Sequence, residues 1–340
     1  MRILGLAASD YDPASRFRIL QYKESLYNLG TTLECRFPYP PKESAPSKWV
    51  FRNQWLWQQC QLLGRIDLIV RQYYFDIIWQ NRLLLNDLYS IERFYNKKKL
   101  VFDIDDAIWL TEGEKQVNKM IHSARIIFAG NEYLADYCLK KNKNTFIIPS
   151  VIDTSVFHSS HRKDSETFAI GWIGTESNFE YLAIIKEPVL QFLRQTSNTK
   201  FIIVSSKKPA AFDFDNERIM FQKWHKDDEV DLINRFDIGI MPLTYNEWTK
   251  GKCGYKILQY MSCEKPFIAS PVGVNTSILK LSGAGISAST TEEWLKAFND
   301  LYHDASLWKS LSQKGRPFVE KNYSCNTWAP RINAFFETLA

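Results

Sequence analysis

Short apolar runs rich in β-branched residues recur along the chain, and longer amphipathic stretches separate them. The runs of the first half are RILGLAA, TLECRF, DLIVRQ, KLVFDI, ARIIFAG and TFIIPSV, and those of the second half are TFAIGWI, KFIIVSS, DIGIMPL and KPFIAS. Continuously apolar strands that alternate with helices are typical of parallel sheets covered by helices on both faces. Two such sets in succession predict two doubly wound α/β domains.

A polar stretch without apolar periodicity separates the two sets of strands. It reads TSVFHSSHRKDSETF, and we expect the linker between the domains at residues 154–166. The end of the chain is also informative, because an amphipathic run follows Pro330. Since proline is frequent in the first turn of a helix, this pattern predicts a C-terminal helix with Pro330 near its start.

Length and composition agree with this division. The chain has 340 residues, of which 45% are hydrophobic and 24% charged, and this is enough for two globular domains. Its six cysteines are scattered without CxxC or zinc-site spacing, which indicates free thiols in a reducing, cytoplasmic compartment. No apolar run approaches the roughly 18 residues of a membrane span, so we expect a soluble or at most peripheral protein.

The formal net charge of +5 comes from the first half of the chain. Residues 1–150 contain 21 Lys and Arg against 16 Asp and Glu, whereas the remainder contains 22 of each. This bias favours an anionic partner, such as phosphate groups or an acidic membrane surface. It is too weak to indicate nucleic acid, which usually requires a stronger basic stripe.

The stretch KGKCGYKILQYM places cations at the start of a predicted helix. Lys250, Lys252 and Lys256 surround Cys253 and Gly254, and the apolar positions that follow have helical spacing. A helix N-terminus carries positive potential, so cations there are unfavourable unless an anion lies between them. We therefore expect a phosphate-binding helix start. The alternative is that the lysines simply point into water.

The turn GWIGTESN follows the first strand of the second domain. Gly174 and Thr175 can present backbone N–H groups to a ligand, and the next helix adds its positive end. Ligands of open parallel sheets bind at the carboxyl ends of the strands, which is where this turn lies. The alternative is a glycine turn required only by steric crowding.

Two loops of the first domain also follow predicted strands. In SDYDPASRFR, Ser15 is a candidate helix cap and Arg16 a candidate anion ligand, although a solvated arginine is an equal alternative. In VFDIDDAIW, Asp103, Asp105 and Asp106 could bind a divalent cation, act as a base or orient sugar hydroxyls. The alternative for this second loop is a turn with an aspartate cap.

These motifs together resemble the family 4 glycosyltransferases of bacteria, which have the GT-B fold. The resemblance rests on IIPSVID, FAIGWIGTESNFEYL and DIGIMPLTYNEWTKGKCGYKILQYMSCEKPFIASPVGVN, and more loosely on PASRFR, VFDIDDAIW and FAGNEYLADY. It implies two facing Rossmann-like domains with an interdomain cleft and a C-terminal helix that returns to the first domain. The domains would be residues 1–155 with about 324–340, which bind the acceptor, and residues 160–323, which bind the donor.

The resemblance also implies roles for individual residues. The donor site would comprise Gly174, Thr175, Lys252, Cys253, Gly254, Lys256 and Gln259, with Lys252 on the diphosphate and Gln259 on the ribose. Ser15 and Arg16 would lie on the acceptor or phosphate side, and Asp103 and Asp106, with Lys252, would form the catalytic set. Relatives commonly carry two glutamates where this chain has Gly251 and Gln259, and Glu247 is a local substitute for the first.

The activity implied is retaining transfer of a hexose from a nucleotide sugar to a glycan or lipid-linked acceptor, in bacterial surface polysaccharide biosynthesis. No metal and no cofactor are expected, and nucleic acid is not expected as a partner. One alternative is a catalytically silent subunit of the same fold that binds a nucleotide sugar or a partner enzyme. Another is a nucleotide-sugar epimerase of the same architecture.

A further hypothesis concerns the membrane. The segment SKWVFRNQWLWQQCQLLGR mixes tryptophans with basic residues, as helices at bilayer interfaces do. It would place the protein in the cytoplasm at the inner face of the membrane. The alternative is ordinary packing of this segment within the first domain.

Overall fold

The computed structural model describes residues 1–38, 54–84, 91–160 and 167–339, and only the backbone of residues 54–58. The chain forms two compact units. Unit 1 comprises Met1–Val151, Gly251–Cys253 and Cys325–Ala340, and unit 2 comprises Ile152–Lys250 and Gly254–Ser324. Of the linker expected at 154–166, residues 161–166 lie outside the described residues, and Trp49 and Phe51 of the proposed interfacial segment do too.

Unit 1 contains a six-stranded sheet in the order β2-β1-β3-β4-β5-β6, and all its neighbouring strands are parallel. The strands are β1 Arg2–Leu6, β2 Thr32–Arg36, β3 Ile77–Asn81, β4 Leu100–Ile104, β5 Ile126–Ala129 and β6 Thr145–Ile147. The helices between them are α1 Pro13–Arg18, α2 Lys23–Asn28, α3 Gln54–Leu63, α4 Asp67–Arg71, α5 Glu114–Ser123 and α6 Glu132–Leu139. The direction of winding reverses between β1 and β3, which is the topological switch point where such sheets bind ligands.

Unit 2 repeats this plan with the strand order β12-β11-β10-β7-β8-β9, again all parallel. Its strands are β7 Phe168–Ile173, β8 Thr199–Ser205, β9 Ile219–Lys223, β10 Ile238–Met241, β11 Phe267–Ala269 and β12 Gly285–Ser287. Its helices are α7 Phe179–Leu182, α8 Lys186–Gln195, α9 Glu229–Asn234, α10 Glu247–Lys250, α11 Tyr255–Ser262, α12 Val274–Ser282, α13 Thr291–His303 and α14 Ala305–Asn322. The switch point of this sheet lies between β7 and β10.

The last helix, α15 Cys325–Glu337, belongs to unit 1, as the fold prediction expected. Phe336 is fully buried, and its ring centroid lies 5.3 Å from that of Trp79 and 5.8 Å from that of Phe128. Pro330 lies inside α15, several residues past its first turn, so the predicted start was too late. The polar SCNT segment before Pro330 concealed the true helix start at Cys325.

Three strands of the structure do not correspond to the predicted apolar runs. DLIVRQ was expected to be a strand, but its first five residues form α4, and the third strand is instead β3 at Ile77–Asn81. A short apolar run does not distinguish a strand from one helical turn, because both can bury part of it. Strand β9 at Ile219–Lys223 and the short strand β12 at Gly285–Ser287 lie outside those runs, because IMFQK and GIS carry too little continuous apolar character. The remaining apolar runs form strands, and the prediction of two doubly wound α/β units is confirmed.

No helix in the described part of the chain is both long and apolar enough to span a bilayer. The longest of these helices, α14, carries Lys and Arg along its length.

The packing of α15 predicts the effect of shortening Phe336. Phe336→Ala should lower the free energy of unfolding of unit 1 by about 3–5 kcal/mol, because it leaves a cavity against Trp79 and Phe128. Urea denaturation followed by circular dichroism measures this loss. Thr338→Ala, an exposed change beside the same helix, should cost no more than about 0.5 kcal/mol. Equal effects of the two changes would mean that α15 does not support the core.

Candidate functional site

The turn after β7 lies at the switch point of unit 2. A Cβ atom added to Gly174 would lie 2.6 Å from Trp172 Cζ2 and 2.8 Å from Lys256 Cε, so only glycine allows this close approach. The Lys256 ammonium lies 5.7 Å from the centre of the buried Trp172 ring. Thr175 is exposed, and its hydroxyl accepts a hydrogen bond of 2.9 Å from Asn178 Nδ2. The structure therefore brings Gly174 and Lys256 close together within unit 2, and their predicted contact with donor phosphates stays a prediction.

Gly254 begins helix α11 in the left-handed conformation, with φ of 69°. Side chains other than glycine rarely adopt this backbone geometry. A Cβ atom at this position would also lie 3.0 Å from Ile278 Cδ1. Gly254 is the N-cap of α11 and has no side chain to bond the free N–H groups of the first turn, where Lys256 lies. A helix start of this kind carries positive potential and accepts an anion readily.

Gln259 does not lie on an open surface. It is buried on the inner side of α11, and its amide donates a 2.9 Å hydrogen bond to Glu229 Oε1 on α9. Glu229 is also buried, and no local sequence pattern indicates this pair because thirty residues separate its members. Gln259 therefore holds the Glu229 carboxylate in place, and its expected direct contact with a ribose does not fit its burial.

The carboxyl edge of the unit 1 sheet is built on a buried ion pair. Arg18 Nε donates to Asp103 Oδ1 at 2.8 Å and Nη2 to Asp103 Oδ2 at 3.2 Å, and Asp103 is fully buried. Trp79 Nε1 donates to the same carboxylate at 3.1 Å, and Ser150 Oγ accepts from Arg18 at 3.3 Å. Burial opposes the charge on Arg18, but the Asp103 carboxylate outweighs it and raises the Arg18 pKa above its ordinary value. Asp103 is thus a structural anchor, which corrects its assignment to the catalytic set.

Arg82, directly after β3, pairs with the next two aspartates. Its guanidinium donates to Asp105 Oδ1 at 2.7 Å and Oδ2 at 3.1 Å, and to Asp106 Oδ2 at 2.6 Å. Burial opposes ionisation of Asp105, yet the Arg82 charge prevails and lowers the Asp105 pKa. Arg82 adopts a φ of 55°, and its backbone N–H donates to Asp103 O at 3.0 Å. Strained backbone of this kind persists where the surrounding contacts hold it, often at functional sites.

The segment 251–253 packs within unit 1. Asn131 Nδ2 donates to Gly251 O at 2.9 Å and to Lys252 O at 3.2 Å, and the Cys253 thiol donates to Asp105 O at 3.0 Å. Burial raises the pKa of Cys253 to about 12, so the thiol is protonated. Cys253 therefore acts as a hydrogen-bond donor to unit 1.

Gly251 stands at the position where the family resemblance implies a glutamate. A Cβ atom here would lie 2.8 Å from Ala107 N and 2.9 Å from Ala107 Cβ. Real Cβ atoms do not approach backbone this closely, so any side chain at 251 requires the loop after β4 to move. The proposed substitute Glu247 is exposed and forms an ion pair with Lys250 at 2.6 Å.

The three lysines of the KGKCGYK motif each have a neighbour within the protein. Lys250 pairs with Glu247, Lys252 Nζ lies 3.9 Å from Asp106 Oδ1, and Lys256 lies over Trp172. The Lys252 side chain is 14% exposed and that of Asp106 is 18% exposed, so both remain reachable from solvent. The expectation that the lysines conflict with the helix start is weakened for Lys250 and Lys252, because each has a carboxylate nearby.

A cavity of about 280 Å³ lies at the switch point of unit 1. It is lined by residues that follow β1 and β3, together with two charged residues from elsewhere in the unit: Ala7, Ala8, Asp12, Arg65, Asn81, Arg82, Leu83, Leu84 and Glu112. Two cations and two carboxylates line it, so its formal charge is balanced. Pockets for drug-sized ligands usually occupy about 300–1,000 Å³, so this cavity suits a single small ring.

Ser15 does not take its predicted place as the helix cap, and the role of Arg16 stays a prediction. Asp12, not Ser15, caps α1, since its carboxylate accepts from Ser15 N at 2.8 Å. The buried Ser15 hydroxyl instead accepts from Ala8 N at 2.9 Å and thereby shapes the loop after β1. The guanidinium carbon of Arg16 lies 4.7 Å from the Phe17 ring centre, while Arg18 takes the central position.

Sequence reasoning missed Arg18, Asn81, Arg82 and Glu112 as members of this region. Asn81 and Arg82 were overlooked because DLIVRQ had been assigned as the third strand, which hid the carboxyl end of β3. The signal that could have found them is the run IIWQNR, whose polar residues follow an apolar strand in the same way as those of VFDIDD.

Removal of the Arg82 guanidinium predicts a loss of stability that depends on pH. Arg82→Ala leaves Asp105 without its paired cation and Asp106 with only Lys252 at 3.9 Å, which should cost about 3 kcal/mol near neutral pH. In the wild type, the lowered Asp105 pKa adds stability that is lost as pH falls through its folded value. In the variant, burial raises the carboxyl pKa values, so stability increases as the pH falls. The difference between the two proteins should therefore shrink toward about pH 4.

Chemical denaturation across this pH range provides the measurement. Arg71→Ala is the matched control, because Arg71 forms an exposed pair with Asp67 at 2.8 Å. That change should cost less than about 1 kcal/mol at every pH. A loss at Arg82 that is small or independent of pH would contradict the assignment of the ion-pair cluster.

Unit 2 resembles a known protein family, and the whole chain resembles several solved structures. Residues 167–304, within unit 2, match the family model described as Glycosyl transferases group 1. No curated protein sequence gave a significant match. Sucrose-phosphate synthase from Thermosynechococcus elongatus superposes with a TM-score of 0.75 at 12% identity, over 99% of this chain and 98% of that chain. Anabaena HepE in complex with UDP-glucose gives 0.70 at 13% identity, over 99% and 100%.

A glycosyltransferase from Rickettsia africae is similar to the same extent, with a TM-score of 0.70 at 14% identity, over 99% of this chain and 98% of that chain. At these identities the structural likenesses show the fold, and they confirm the prediction of two Rossmann-like units of the GT-B class. The family match adds information on activity, which the fold alone does not give. Unit 2 carries a glycosyltransferase group 1 region, and the prediction that the chain is a glycosyltransferase is confirmed.

Proposed function

We propose that the protein transfers a hexose from a nucleotide-sugar donor to a glycan or lipid-linked acceptor. The observation that carries this proposal is the switch point of unit 2, where the Gly174 turn, Lys256 and the N-terminus of α11 converge. It lies inside the region that matches the Glycosyl transferases group 1 model. HepE, which shares the fold, has been solved with UDP and with UDP-glucose, and this supports a nucleotide sugar as the donor.

The donor diphosphate would be bound by backbone and by cations. Small residues at 174 and 254 let the chain approach the phosphates closely, and the α11 dipole favours negative charge at its start. Lys256 adds a full positive charge on the first turn. Lys252, two residues before Gly254, is proposed to neutralise charge on the leaving diphosphate. These groups stabilise the charge that develops as the bond to the sugar breaks.

Transfer without a metal or other cofactor forms part of the proposal. The carboxylates at the end of β4 are already paired, Asp103 with Arg18 and Asp105 with Arg82. A divalent cation would have to displace these guanidinium groups. Lysines and a helix N-terminus can supply the positive charge that a metal supplies in other transferases. We therefore expect activity to persist in the presence of EDTA.

The acceptor is proposed to bind unit 1. Asp12, Asn81 and Glu112 line its cavity and can accept or donate hydrogen bonds to sugar hydroxyls. Asp106 is the partly exposed member of the predicted catalytic pair, and we assign to it the contact with the attacking hydroxyl. Retention at the sugar carbon and a role in bacterial surface polysaccharide biosynthesis complete the proposal, and both rest on the sequence resemblance.

One observation favours a second candidate, a silent subunit that binds a nucleotide sugar without turning it over. Gly251 stands where relatives have a glutamate, and the loop after β4 leaves no room for any side chain there. The missing carboxylate removes one group that would contact the donor sugar. Binding without release of nucleoside diphosphate distinguishes this candidate from the enzyme.

Release of nucleoside diphosphate from UDP-, GDP- and ADP-sugars tests the proposal. We expect one donor class to be hydrolysed slowly and transferred faster with a glycan acceptor, with and without EDTA. Lys252→Ala and Lys256→Ala should each lower kcat/KM by about 100-fold, because each removes charge stabilisation of the leaving group. A coupled assay for free UDP, GDP or ADP provides the rate.

Lys280→Ala is the control for these lysine variants, because Lys280 is an exposed lysine near the end of α12 in the same unit. It should leave kcat/KM unchanged, and thermal melts should show that all three variants fold. No release from any donor, combined with a donor-dependent rise in Tm, would favour the silent subunit. If no donor releases nucleoside diphosphate and no donor raises the Tm, the proposed donor site itself is overturned.

A further inference from the structure

The helical stretch from Gln61 to Phe75 in unit 1 is inverted relative to an ordinary surface helix. Its exposed face is apolar: Leu63, Ile66, Val70, Tyr73 and Tyr74 are between 52% and 69% exposed. Its buried face carries Gln61, Arg65 and Gln72 beside Leu68 and Phe75. Surface helices normally place apolar residues inward and polar residues outward. We call the five exposed side chains the apolar stripe.

Hydrogen bonds fix this orientation. Arg65 Nη2 donates to Leu84 O at 3.1 Å, and Gln72 Nε2 donates to Phe94 O at 3.1 Å. The side-chain oxygen Oε1 of Gln72 in turn accepts a hydrogen bond of 2.7 Å from Asn96 N. The buried polar groups therefore satisfy backbone atoms of the connection between β3 and β4. Rotation of the helix to hide the stripe would break these bonds, so the apolar face points outward by construction.

Cations gather at the amino ends of the neighbouring strands. The segments before β4, β5 and β6 are RFYNKKK, HSAR and LKKNKN, and they contain no acidic residue. Their basic members are Arg93, Lys97, Lys98, Lys99, Arg125, Lys140, Lys141 and Lys143. Since all strands are parallel, these segments lie along one edge of the sheet. We call this set the basic edge, and it accounts for the positive excess of the first half of the chain.

The apolar stripe and the basic edge form a continuous surface. Tyr73 and Tyr74 precede β3, which neighbours β4, and Gln72 joins the stripe to Phe94, itself 52% exposed. Arg125 Nη1 donates to Lys98 O at 3.4 Å, which joins the segments before β4 and β5. Asn142 Nδ2 donates to Ala124 O at 2.8 Å, which joins those before β5 and β6.

Helix ends explain only part of this charge. Cations are favourable at helix C-termini, and Lys140 and Lys141 follow α6. Arg93 and Lys97–Lys99 lie in one-turn 3-10 helices, where Lys97 Nζ donates to Glu92 O and Lys99 Nζ donates to Phe75 O at 2.6 Å. Neither arrangement exposes an apolar stripe. The acids of this surface are engaged locally: Asp67 pairs with Arg71 at 2.8 Å, and Asp76 accepts from Arg2 N at 2.7 Å.

We propose that the apolar stripe and the basic edge dock unit 1 on an anionic lipid bilayer. Exposed apolar side chains flanked by cations are the pattern of interfacial binding, in which the apolar groups enter the headgroup region and the cations meet anionic lipids. The basic edge lies at the edge of the sheet opposite to the carboxyl ends, and the apolar stripe extends from beside Arg65, which lines the cavity, to Tyr73 and Tyr74 before β3. Strands of five residues separate the two edges of the sheet by about 17 Å, so the basic edge meets the bilayer at a distance from the cavity.

Co-sedimentation of the full chain with lipid vesicles tests the proposal. The chain should bind vesicles of equal parts phosphatidylcholine and phosphatidylglycerol but not vesicles of phosphatidylcholine alone, and added salt should weaken the binding. Lys98→Gln combined with Arg125→Gln should reduce partitioning about thirtyfold, since each cation near an anionic surface changes it about fivefold. Ile66→Ser combined with Val70→Ser should reduce it at least as strongly.

The control pair is Lys280→Gln with Lys309→Gln, which changes the net charge equally on exposed residues of unit 2. It should bind like the wild type, and all variants should keep the same Tm and the same rate of nucleoside diphosphate release in solution. Equal loss with the control pair would reduce the effect to net charge and overturn the proposal. Binding that survives both double changes in unit 1 would also overturn it. A third result would overturn the proposal too: the wild type does not bind vesicles but self-associates in ultracentrifugation, and the Ile66 and Val70 changes abolish that self-association.

Discussion

The buried pair of Arg18 and Asp103 organises the carboxyl edge of the first sheet. Removal of two charges from water is expensive, and the pair offsets this cost only because a bidentate contact and bonds from Trp79 and Ser150 satisfy both partners. The pair ties α1 to β4 and fixes the backbone from which Asp105 and Asp106 emerge. Arg82 then takes its place against those two aspartates.

The pairing of Arg18 also determines the partners of Arg82. Because the Asp103 carboxylate is already bound to Arg18, Arg82 pairs with Asp105 and Asp106 instead. Arg82 does so with a positive φ of 55°, which residues other than glycine rarely adopt. The segment 251–253 rests on the same loop through Cys253 and Gly251. Three successive contacts also link Asp103 to Lys252, which lies far from it in the chain: Arg82 N donates to Asp103 O, Arg82 pairs with Asp106, and Lys252 Nζ lies 3.9 Å from Asp106 Oδ1.

Sequence patterns predicted most strands and the aspartates at the end of β4, because buried parallel strands are apolar throughout and the polarity change marks their ends. Patterns could not predict which aspartate faces inward: Asp103 finds its partner 85 residues away, and pairing at such distance leaves no local signal. The stretch around Leu68 was misread for a related reason. Its apolar residues divide between a buried and an exposed face, whereas a strand prediction assumes that all of them are buried.

The excess of cations along one edge of the unit 1 sheet and the balanced charges beyond the other have a consequence for motion in solution. An uneven distribution of charge along the sheet gives the unit a permanent electric dipole in addition to its net charge. Near a charged surface, within a Debye length of about 10 Å, such a dipole experiences a torque. The torque would rotate unit 1 so that its basic edge faces an anionic surface before the first contact. A larger fraction of encounters would then begin in the binding orientation.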